Sequence, residues 1–197
     1  MATINDFVSL QPQKYDEIRG QIQTGDILFC KGNYAFSDVI SKLSGWPFSH
    51  VAVVFWLYNR VLVLESEVFF GVRAVPLSSY VNNYNNTNKP YAGDMYLGRH
   101  EETKTLDNDK ISKLIGRGVD LLTRKYDNEE LVRIFWRITT KMGKHEDNNE
   151  YICSEFVQEC FKQIGVEFPS EQGGFTFPGS IASDQKVKAL FKINTAV

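Results

Sequence analysis

Residues His50–Glu67 read HVAVVFWLYNRVLVLESE, and this stretch carries the strongest fold signal in the chain. Two runs rich in β-branched and aromatic residues, His50–Trp56 and Val61–Glu67, flank the short segment Leu57-Tyr58-Asn59-Arg60. Such residues favour strands, and a short segment between two strand signals favours a hairpin. The pattern therefore predicts an antiparallel β-hairpin.

The turn sets the register of this hairpin. A two-residue turn at Tyr58-Asn59 gives three pairs across the strands: Leu57 with Arg60, Ala52 with Glu65, and His50 with Glu67. Because alternate residues share a face, His50 and Glu65 then become diagonal neighbours on one face, about 7–8 Å apart by backbone. A turn one residue longer or shorter would place them on opposite faces.

Strand signals continue around the hairpin, and the second half of the chain turns helical. Further strands are predicted at Ile27–Cys30, Phe69–Val75 and Tyr91–Gly98. Helices are predicted at Tyr15–Ile22, Phe36–Leu43, Asn108–Thr123, Glu129–Met142 and Ile152–Ile164, with a short one near Gln185–Phe191. The Asn- and Ser-rich stretch Ser78–Lys89 and the polar stretch Gly143–Asn149 are interpreted as surface loops.

Length and composition indicate an ordinary soluble domain. The 197 residues are 43% hydrophobic and 23% charged, without an internal repeat or linker, which predicts one α+β domain over residues 1–197 with residues 1–24 as a lead-in. The net charge of −2 arises from 22 basic and 24 acidic residues, so no nucleic-acid partner is expected. No signal-peptide pattern and no membrane-length apolar run is present, so a cytoplasmic protein is expected.

Three cysteines, Cys30, Cys153 and Cys160, argue against a disulfide framework. Cys153 and Cys160 lie about 10 Å apart along the predicted helix Ile152–Ile164, too far for a disulfide. A reducing compartment and at least one functional thiol are compatible with this count.

Cys153 occupies the first turn of that helix, on its apolar face. Unpaired backbone N–H groups and the helix dipole place partial positive charge there, which stabilises a thiolate. The same N–H groups can hold the oxyanion that forms when a thiolate attacks a carbonyl. The alternative is that Cys153 is a small core residue. Cys160 lies two turns from that helix end and is interpreted as a core residue.

The predicted hairpin supplies what a cysteine nucleophile needs. An imidazole takes the thiol proton and later returns it, and a carboxylate behind the ring fixes its orientation. His50 and Glu65 are the candidates, and Glu67 is the alternative carboxylate. The competing interpretation is a partly buried strand histidine beside a solvated glutamate.

The remaining histidines are weaker candidates. His100 lies in the charged stretch Arg99–Lys104 and is expected to face solvent, and His145 lies in a polar loop. No pair of Cys or His residues has the short spacing of zinc motifs, so no metal and no other cofactor is expected.

Four segments in this order resemble a known family. They are Gly25-Asp26-Ile27-Leu28, Ser49-His50-Val51-Ala52-Val53, Leu64-Glu65, and Tyr151-Ile152-Cys153-Ser154-Glu155, and Phe177-Pro178-Gly179 followed by Ser180-Ile181 also matches. The chain resembles the permuted papain-like amidases of the NlpC superfamily, the YiiX-like group.

The resemblance implies a circularly permuted papain-like fold, an antiparallel sheet packed against a helix that carries the cysteine. Carried over by position, the catalytic residues are Cys153, His50 and Glu65, while Tyr151 and Ser154 are candidates for substrate binding or for the oxyanion site. Two features depart from relatives: no export signal is visible, and the motif differs from the Asn-Cys-Glu type of the lecithin–retinol acyltransferase branch.

Three functions follow from these residues. The first is an amidase or peptidase that cleaves an amide or ester of a small peptide or amino-acid amide through an acyl-cysteine intermediate. The second is acyl transfer or thioester chemistry on an acyl-lipid substrate, with Phe69-Phe70 and Phe175–Phe177 as acyl-chain contacts or core anchors. The third is a peptide- or lipid-binding module in which Cys153 is not catalytic.

Overall fold

One seven-stranded sheet organises the part of the chain that the computed structural model describes, residues 3–32, 40–42, 44–125, 152–170 and 174–194. Its strands are β1 (Pro12–Lys14), β2 (Asp26–Gly32), β3 (His50–Leu57), β4 (Arg60–Glu67), β5 (Gly71–Pro76), β6 (Gly93–His100) and β7 (Val187–Asn194). Their order across the sheet is β1-β7-β6-β2-β3-β4-β5.

The sheet is mixed rather than purely antiparallel. All neighbouring strands from β7 to β5 pair antiparallel, but the short strand β1 lies parallel to β7 at the edge. The expectation of an antiparallel sheet is therefore corrected at this edge. Strands and separate helices together still make an α+β protein, as predicted.

Helices cover both sides of the sheet. They are α1 (Ile4–Val8), α2 (Tyr15–Ile18), α3 (Leu77–Asn82), α4 (Asn108–Asp120), α5 (Cys153–Lys162) and α6 (Pro178–Ser183). Residues of α1, α4, α5 and α6 share one buried cluster with alternate residues of β3, among them Val51 and Val53. Residues of α2 and α3 share a second cluster with Ala52 and Val54, on the opposite side of the same strand.

The Gly25-Asp26 pair at the start of β2 has a structural role. Asp26 is fully buried and accepts hydrogen bonds from Arg99 Nε at 2.6 Å and Nη2 at 2.9 Å, which joins β2 to β6. Burial raises the pKa of Asp26, and the Arg99 hydrogen bonds partly offset that effect. Gly25 has φ +92°, and a Cβ there would lie 3.0 Å from side-chain atoms of Thr103 and Leu106.

Most predicted elements that fall on described residues are present with shifted ends. The hairpin strands are observed as β3 and β4, and Leu57 pairs with Arg60 as predicted. The predicted third strand begins at Gly71 instead of Phe69, because Phe69 and Phe70 belong to the turn that follows β4. The helices predicted at Asn108–Thr123 and Ile152–Ile164 correspond to α4 and α5.

The short helix predicted near Gln185–Phe191 is wrong, because this segment forms β7. Lys188, Ala189 and Leu190 favour a helix locally. Tertiary pairing overrides that preference, since β7 lies between β6 and β1 and bonds to both.

The loop predicted over Ser78–Lys89 is also partly wrong. Its first half forms α3, and Tyr84–Asn86 form a short 3₁₀ turn. Leu77 and Tyr80 are fully buried and anchor α3 against the sheet. The Asn and Ser content of the segment concealed the helical spacing of these two apolar side chains.

Several sequence-based predictions fall on residues outside the described ranges. These are the helix at Glu129–Met142, the loop at Gly143–Asn149, His145, Tyr151 and most of the helix at Phe36–Leu43. Within the described ranges, no helix is both long and apolar enough to cross a membrane.

Helix α4 approaches the sheet most closely at Gly118. A Cβ at Gly118 would lie 2.3 Å from Leu64 Cδ2 and 3.2 Å from Cys160 Sγ, whereas a Cβ at Gly116 would have no heavy atom within 4 Å. The same helix therefore contains one glycine required by packing and one that packing does not require.

We predict opposite effects for alanine at these two positions. Gly118→Ala overpacks the contact with β4 and α5 and should lower the free energy of unfolding by about 1–3 kcal/mol. Gly116→Ala should raise it by about 0.5–1 kcal/mol through helix propensity alone. Urea unfolding of the two variants measures both changes, and a stabilising Gly118→Ala contradicts the packing described here.

Candidate active site

Helix α5 places Cys153 at its first residue. Ile152 precedes it in an extended conformation, and the Glu155 carboxylate accepts a hydrogen bond from Ile152 N–H at 3.3 Å, which closes the start of the helix. Phe156 and Val157 anchor the helix in the core shared with β3 and β4. Cys153 is 4% exposed, so it is buried rather than on the open surface.

His50 is the first residue of β3, and the residue before it fixes the strand entry. The Ser49 hydroxyl accepts from Gly32 N–H at 3.1 Å and donates to the Cys30 carbonyl at 3.5 Å, while Ser49 N–H donates to the same carbonyl at 2.9 Å. These bonds tie the start of β3 to the end of β2. Ser49 thus fixes the backbone from which the His50 imidazole projects.

The predicted hairpin register brings His50 and Glu65 together. Strands β3 and β4 pair from Leu57–Arg60 through Val53–Leu64, as expected for a two-residue turn. His50 Nε2 lies 2.7 Å from Glu65 Oε2, and the Glu65 side chain is fully buried. The side chains have therefore closed the diagonal gap between the strands by direct hydrogen bonding.

His50 and Cys153 meet at the end of a strand rather than across a sheet face. By alternation, His50 lies on the side of β3 that carries Ala52 and Val54, away from the core of α5. Its position at the first residue of the strand nevertheless brings the ring within interaction range of Cys153, at the first residue of the helix, and this interaction contributes to the raised pKa of His50. His50 and Cys153 therefore approach each other from opposite sides of the sheet, beyond the end of β3.

Sequence reasoning missed two residues that hold Glu65. Arg73 Nε donates to Glu65 Oε1 at 2.8 Å, and the Tyr80 hydroxyl donates to Glu65 Oε2. The sequence could have predicted the contact of Arg73 with Glu65, because a tight turn between β4 and β5 places the two residues directly opposite each other. Tyr80 had no such signal, since it lies in the segment interpreted as a surface loop.

Strong electrostatic coupling links these side chains. Burial lowers the pKa of His50, but hydrogen bonds and charge interactions with Cys153 and Glu65 outweigh burial and raise the pKa to about 10. Burial raises the pKa of Glu65, but His50, Arg73 and Tyr80 outweigh it and hold that pKa below its usual value. The stabilisation from His50 protonation is thus fully present below its unfolded pKa of about 6.5. It is lost as the pH rises through about 10.

The remaining sequence candidates lie in different surroundings. Glu67, the alternative carboxylate, accepts from the N–H groups of Phe69 and Phe70 at 2.8 and 3.3 Å and so closes the β4–β5 turn. Ser154 is fully buried, and its hydroxyl has no hydrogen-bond partner in the described part of the chain. Tyr151 falls outside the described residues.

The expectation that His100 faces solvent is wrong. It is 1% exposed, and its ring lies edge-on to Phe161 and Phe168 with centroid distances of 6.1 and 5.7 Å. Burial lowers its pKa, and Nδ1 accepts from Glu102 N–H at 3.2 Å. Its neighbours Glu101 and Lys104 are exposed, whereas the ring itself fills the core. Cys160 is fully buried and its pKa is raised by burial, in agreement with its interpretation as a core residue.

The Phe175–Phe177 segment packs beside the start of α5. Phe175 and Phe177 are 5% and 6% exposed and share a small apolar cluster with Ile152. They therefore anchor the chain next to Cys153. The Phe69-Phe70 pair differs, because these side chains are 85% and 57% exposed at the β4–β5 turn.

The pKa values of His50 and His100 are shifted in opposite directions. We expect the His50 ring to remain an imidazolium at pH 8, with a midpoint near its pKa of about 10, while His100 titrates below its ordinary value of 6.5. Glu65→Gln removes the anion beside His50 and should lower the His50 midpoint by about one pH unit or more, without moving that of His100. Nitrogen-detected NMR titration of both rings measures this. A wild-type His50 midpoint near 6.5 contradicts the coupling described above.

Comparisons with known proteins identify the family and the fold. A family model described as permuted papain-like amidase enzyme, YaeF/YiiX, C92 family, matches residues 21–192. The crystal structure of yiiX from Escherichia coli O157:H7 aligns with a TM-score of 0.66 over 87% of this chain and 98% of that chain, at 16% identity, which shows a shared fold. No curated protein matches the chain.

That neighbour is described as a metalloprotein, which is a statement about that protein. In the described ranges of this chain, no group of three or more His, Cys, Asp or Glu side chains is placed to hold a metal ion. Near Cys153, His50 and Arg73 both form ion pairs with Glu65.

Proposed function

Because the chain belongs to the permuted papain-like amidase family YaeF/YiiX, C92, we propose that it is a cysteine hydrolase that cleaves an amide bond through an acyl-cysteine intermediate. The single observation that carries this proposal is the contact between His50 and both Cys153 and Glu65. A core cysteine without a catalytic role has no need of a partly buried imidazole backed by a fully buried carboxylate. The substrate class we propose is a small peptide or an amino-acid amide.

The proposed reaction has two steps. In the first, the Cys153 thiolate attacks the carbonyl carbon, and the His50 imidazolium donates its proton to the departing amine, which leaves an acyl-cysteine thioester. In the second, water attacks the thioester and His50 accepts a proton from that water; the carboxylic acid leaves, and the Cys153 thiolate and the His50 imidazolium are restored. Glu65 orients the ring and stabilises its charged form in both steps.

The start of α5 is the proposed oxyanion site. The N–H groups of Cys153 and Ser154 lie in the first helical turn, where no backbone acceptor within the helix is available. Together with the helix dipole, they favour negative charge close to the sulfur. The Ser154 hydroxyl, buried beside them, is proposed as an additional donor, and the role of Tyr151 stays a prediction from the sequence.

Labelling identifies the nucleophile directly. We expect an acyl-type thiol probe, detected by peptide mass spectrometry, to modify Cys153 and not Cys30 or Cys160, which are fully buried in the core. Labelling of Cys160 in place of Cys153 in the folded protein contradicts the assignment.

Substitutions separate the proposed roles. With a chromogenic aryl amide of a short peptide as substrate, Cys153→Ala should reduce turnover at least about 1,000-fold, and Glu65→Gln about 100-fold or more. Cys160→Ala serves as the control, since it removes a thiol without touching the site and should retain turnover. Full activity of Glu65→Gln in a folded protein means that this carboxylate does not orient the base.

A second candidate function, acyl transfer from a lipid, is favoured by one observation. The β4–β5 turn exposes Val68, Phe69 and Phe70, and Phe70 immediately precedes the strand that carries Arg73. A screen of acyl-ester lipids against amidated peptides distinguishes the two functions. Phe69→Ser should impair only lipid substrates, and Tyr58→Ser, at the exposed turn of the other hairpin, is the matched control.

A further inference from the structure

The Glu65 carboxylate has donors on both oxygens and no access to solvent. Oε1 accepts from Arg73, while Oε2 accepts from both His50 and Tyr80. The side chain is fully buried, so these three donors replace the water that would otherwise hold the charge. A carboxylate bound on every side keeps one orientation, and the orientation of His50 depends on it.

Arg73 is itself fixed from several directions. Its Nη2 donates to Asn85 Oδ1 at 2.8 Å, and its guanidinium lies over the Phe70 ring with the carbon atom 4.5 Å from the centroid. Strand pairing places its backbone directly opposite Glu65. The guanidinium therefore approaches Glu65 with a defined geometry rather than as a mobile surface charge.

The Asn-rich segment after α3 serves this arrangement. Asn85, Asn86 and Asn88 have φ values of 50°, 60° and 58°, in the left-handed region that asparagine tolerates better than most residues. Asn83 Oδ1 accepts from Asn88 N–H at 2.7 Å and closes the segment on itself. This conformation holds the Asn85 amide against Arg73, which gives the local composition a physical reason.

Tyr80 is held by aromatic packing. Its ring centroid lies 4.8 Å from that of Tyr84 and 5.6 Å from that of Tyr91, and Tyr80 is fully buried. Burial and the Glu65 charge raise the pKa of Tyr80 well above its usual value, so the hydroxyl remains a neutral donor. It supplies a hydrogen bond to Glu65 without adding charge.

We infer that Arg73 is a positioning residue that supplies the second positive charge of the site, so that a Cys153 thiolate completes an electrically balanced cluster with Arg73, Glu65 and the His50 imidazolium. The inference rests on the function proposed above. Arg73 touches neither Cys153 nor a substrate in this arrangement, and it acts through Glu65 and His50. Tyr80 and Asn85 hold the same chain of contacts in place.

The charge count explains why a single cation, the His50 imidazolium, does not suffice. Arg73 and Glu65 form a neutral pair, which leaves the positive charge of His50 to be balanced by the sulfur. Without Arg73, Glu65 alone balances His50, and a thiolate would add an uncompensated buried negative charge. The thiol should then ionise only at higher pH.

The other titratable groups around the site do not take over this role. Glu67 also interacts with Arg73, but its carboxylate is bound by the β4–β5 turn and lies in a partly exposed position. Cys30, the β2 residue that pairs with His50, is fully buried, and burial first, then the charges of Glu65 and Cys153, raise its pKa well above the usual value. Burial likewise raises the pKa of Tyr84. Cys30 and Tyr84 therefore remain neutral.

The test measures thiol reactivity, which needs no knowledge of the substrate. Iodoacetamide alkylates the thiolate form of cysteine and releases iodide, so its rate at Cys153 as a function of pH reports ionisation. Peptide mass spectrometry assigns the rate to Cys153 in the full-length protein. The variants are Arg73→Gln, which removes the charge, Arg73→Lys, which keeps it, and Tyr80→Phe, which removes only a neutral donor.

We expect Arg73→Gln to shift the reactivity midpoint upward by roughly one pH unit, as a lost charge interaction at an effective dielectric constant near 20 implies. Arg73→Lys should restore most of that shift, because it returns the positive charge. Tyr80→Phe should leave the midpoint within a few tenths of a unit of wild type while lowering turnover. Thermal unfolding of each variant verifies that it is folded. Asn85→Ala removes the amide that holds the Arg73 guanidinium and should shift the reactivity midpoint upward by a smaller amount. This variant replaces Arg73→Gln in the test if Arg73→Gln does not fold.

Failure of this inference is distinguishable from failure of the proposed function. A wild-type midpoint well below that of free cysteine, unchanged in Arg73→Gln, overturns the role of Arg73 and leaves the nucleophile assignment standing. A wild-type midpoint equal to that of free cysteine overturns both. An Arg73→Lys variant that behaves like Arg73→Gln overturns the charge-balance role, because charge alone then has no effect.

Discussion

Glu65 carries a buried negative charge, and the arrangement of the surrounding chain follows from the need to bind it. A carboxylate removed from water must be met by cations or hydrogen-bond donors on each oxygen. Three separate elements provide them: His50 begins β3, Arg73 lies in β5 and Tyr80 lies in α3. Two strand pairings and one short helix therefore converge on a single side chain.

The meeting of His50 and Cys153 depends on where their elements begin. A histidine in the middle of β3 on the same side would face the α2–α3 core, and the sheet would separate it from α5. Because His50 is the first residue of its strand and Cys153 the first residue of its helix, the two side chains reach each other around the sheet end. The same location gives the sulfur the positive end of the helix dipole. The start of α5 therefore provides both the approach of Cys153 to His50 and the positive potential at its sulfur.

The chain belongs to the permuted papain-like amidases, and in the site proposed for it the base His50 precedes the nucleophile Cys153 along the chain. The order of residues does not matter to the chemistry, which requires only the spatial relation of thiol, imidazole and carboxylate. The buried Phe175–Phe177 segment packs against Ile152, next to Cys153, whereas the turn at Val68–Phe70 is exposed.

Local patterns in the sequence determined the hairpin, its register and the helix that begins with Cys153, because strand alternation and helical spacing are properties of neighbouring residues. The pairing of His50 with Glu65 followed from the Tyr58-Asn59 turn alone. Long-range packing decided the rest. It made Val187–Asn194 a strand between two others despite its helix-favouring residues, it buried His100 among Phe161 and Phe168, and it brought Tyr80 and Asn85 from an Asn-rich segment to the Glu65 cluster. No local pattern encodes those contacts, since each joins residues whose proximity arises only when the sheet and its covering helices have assembled.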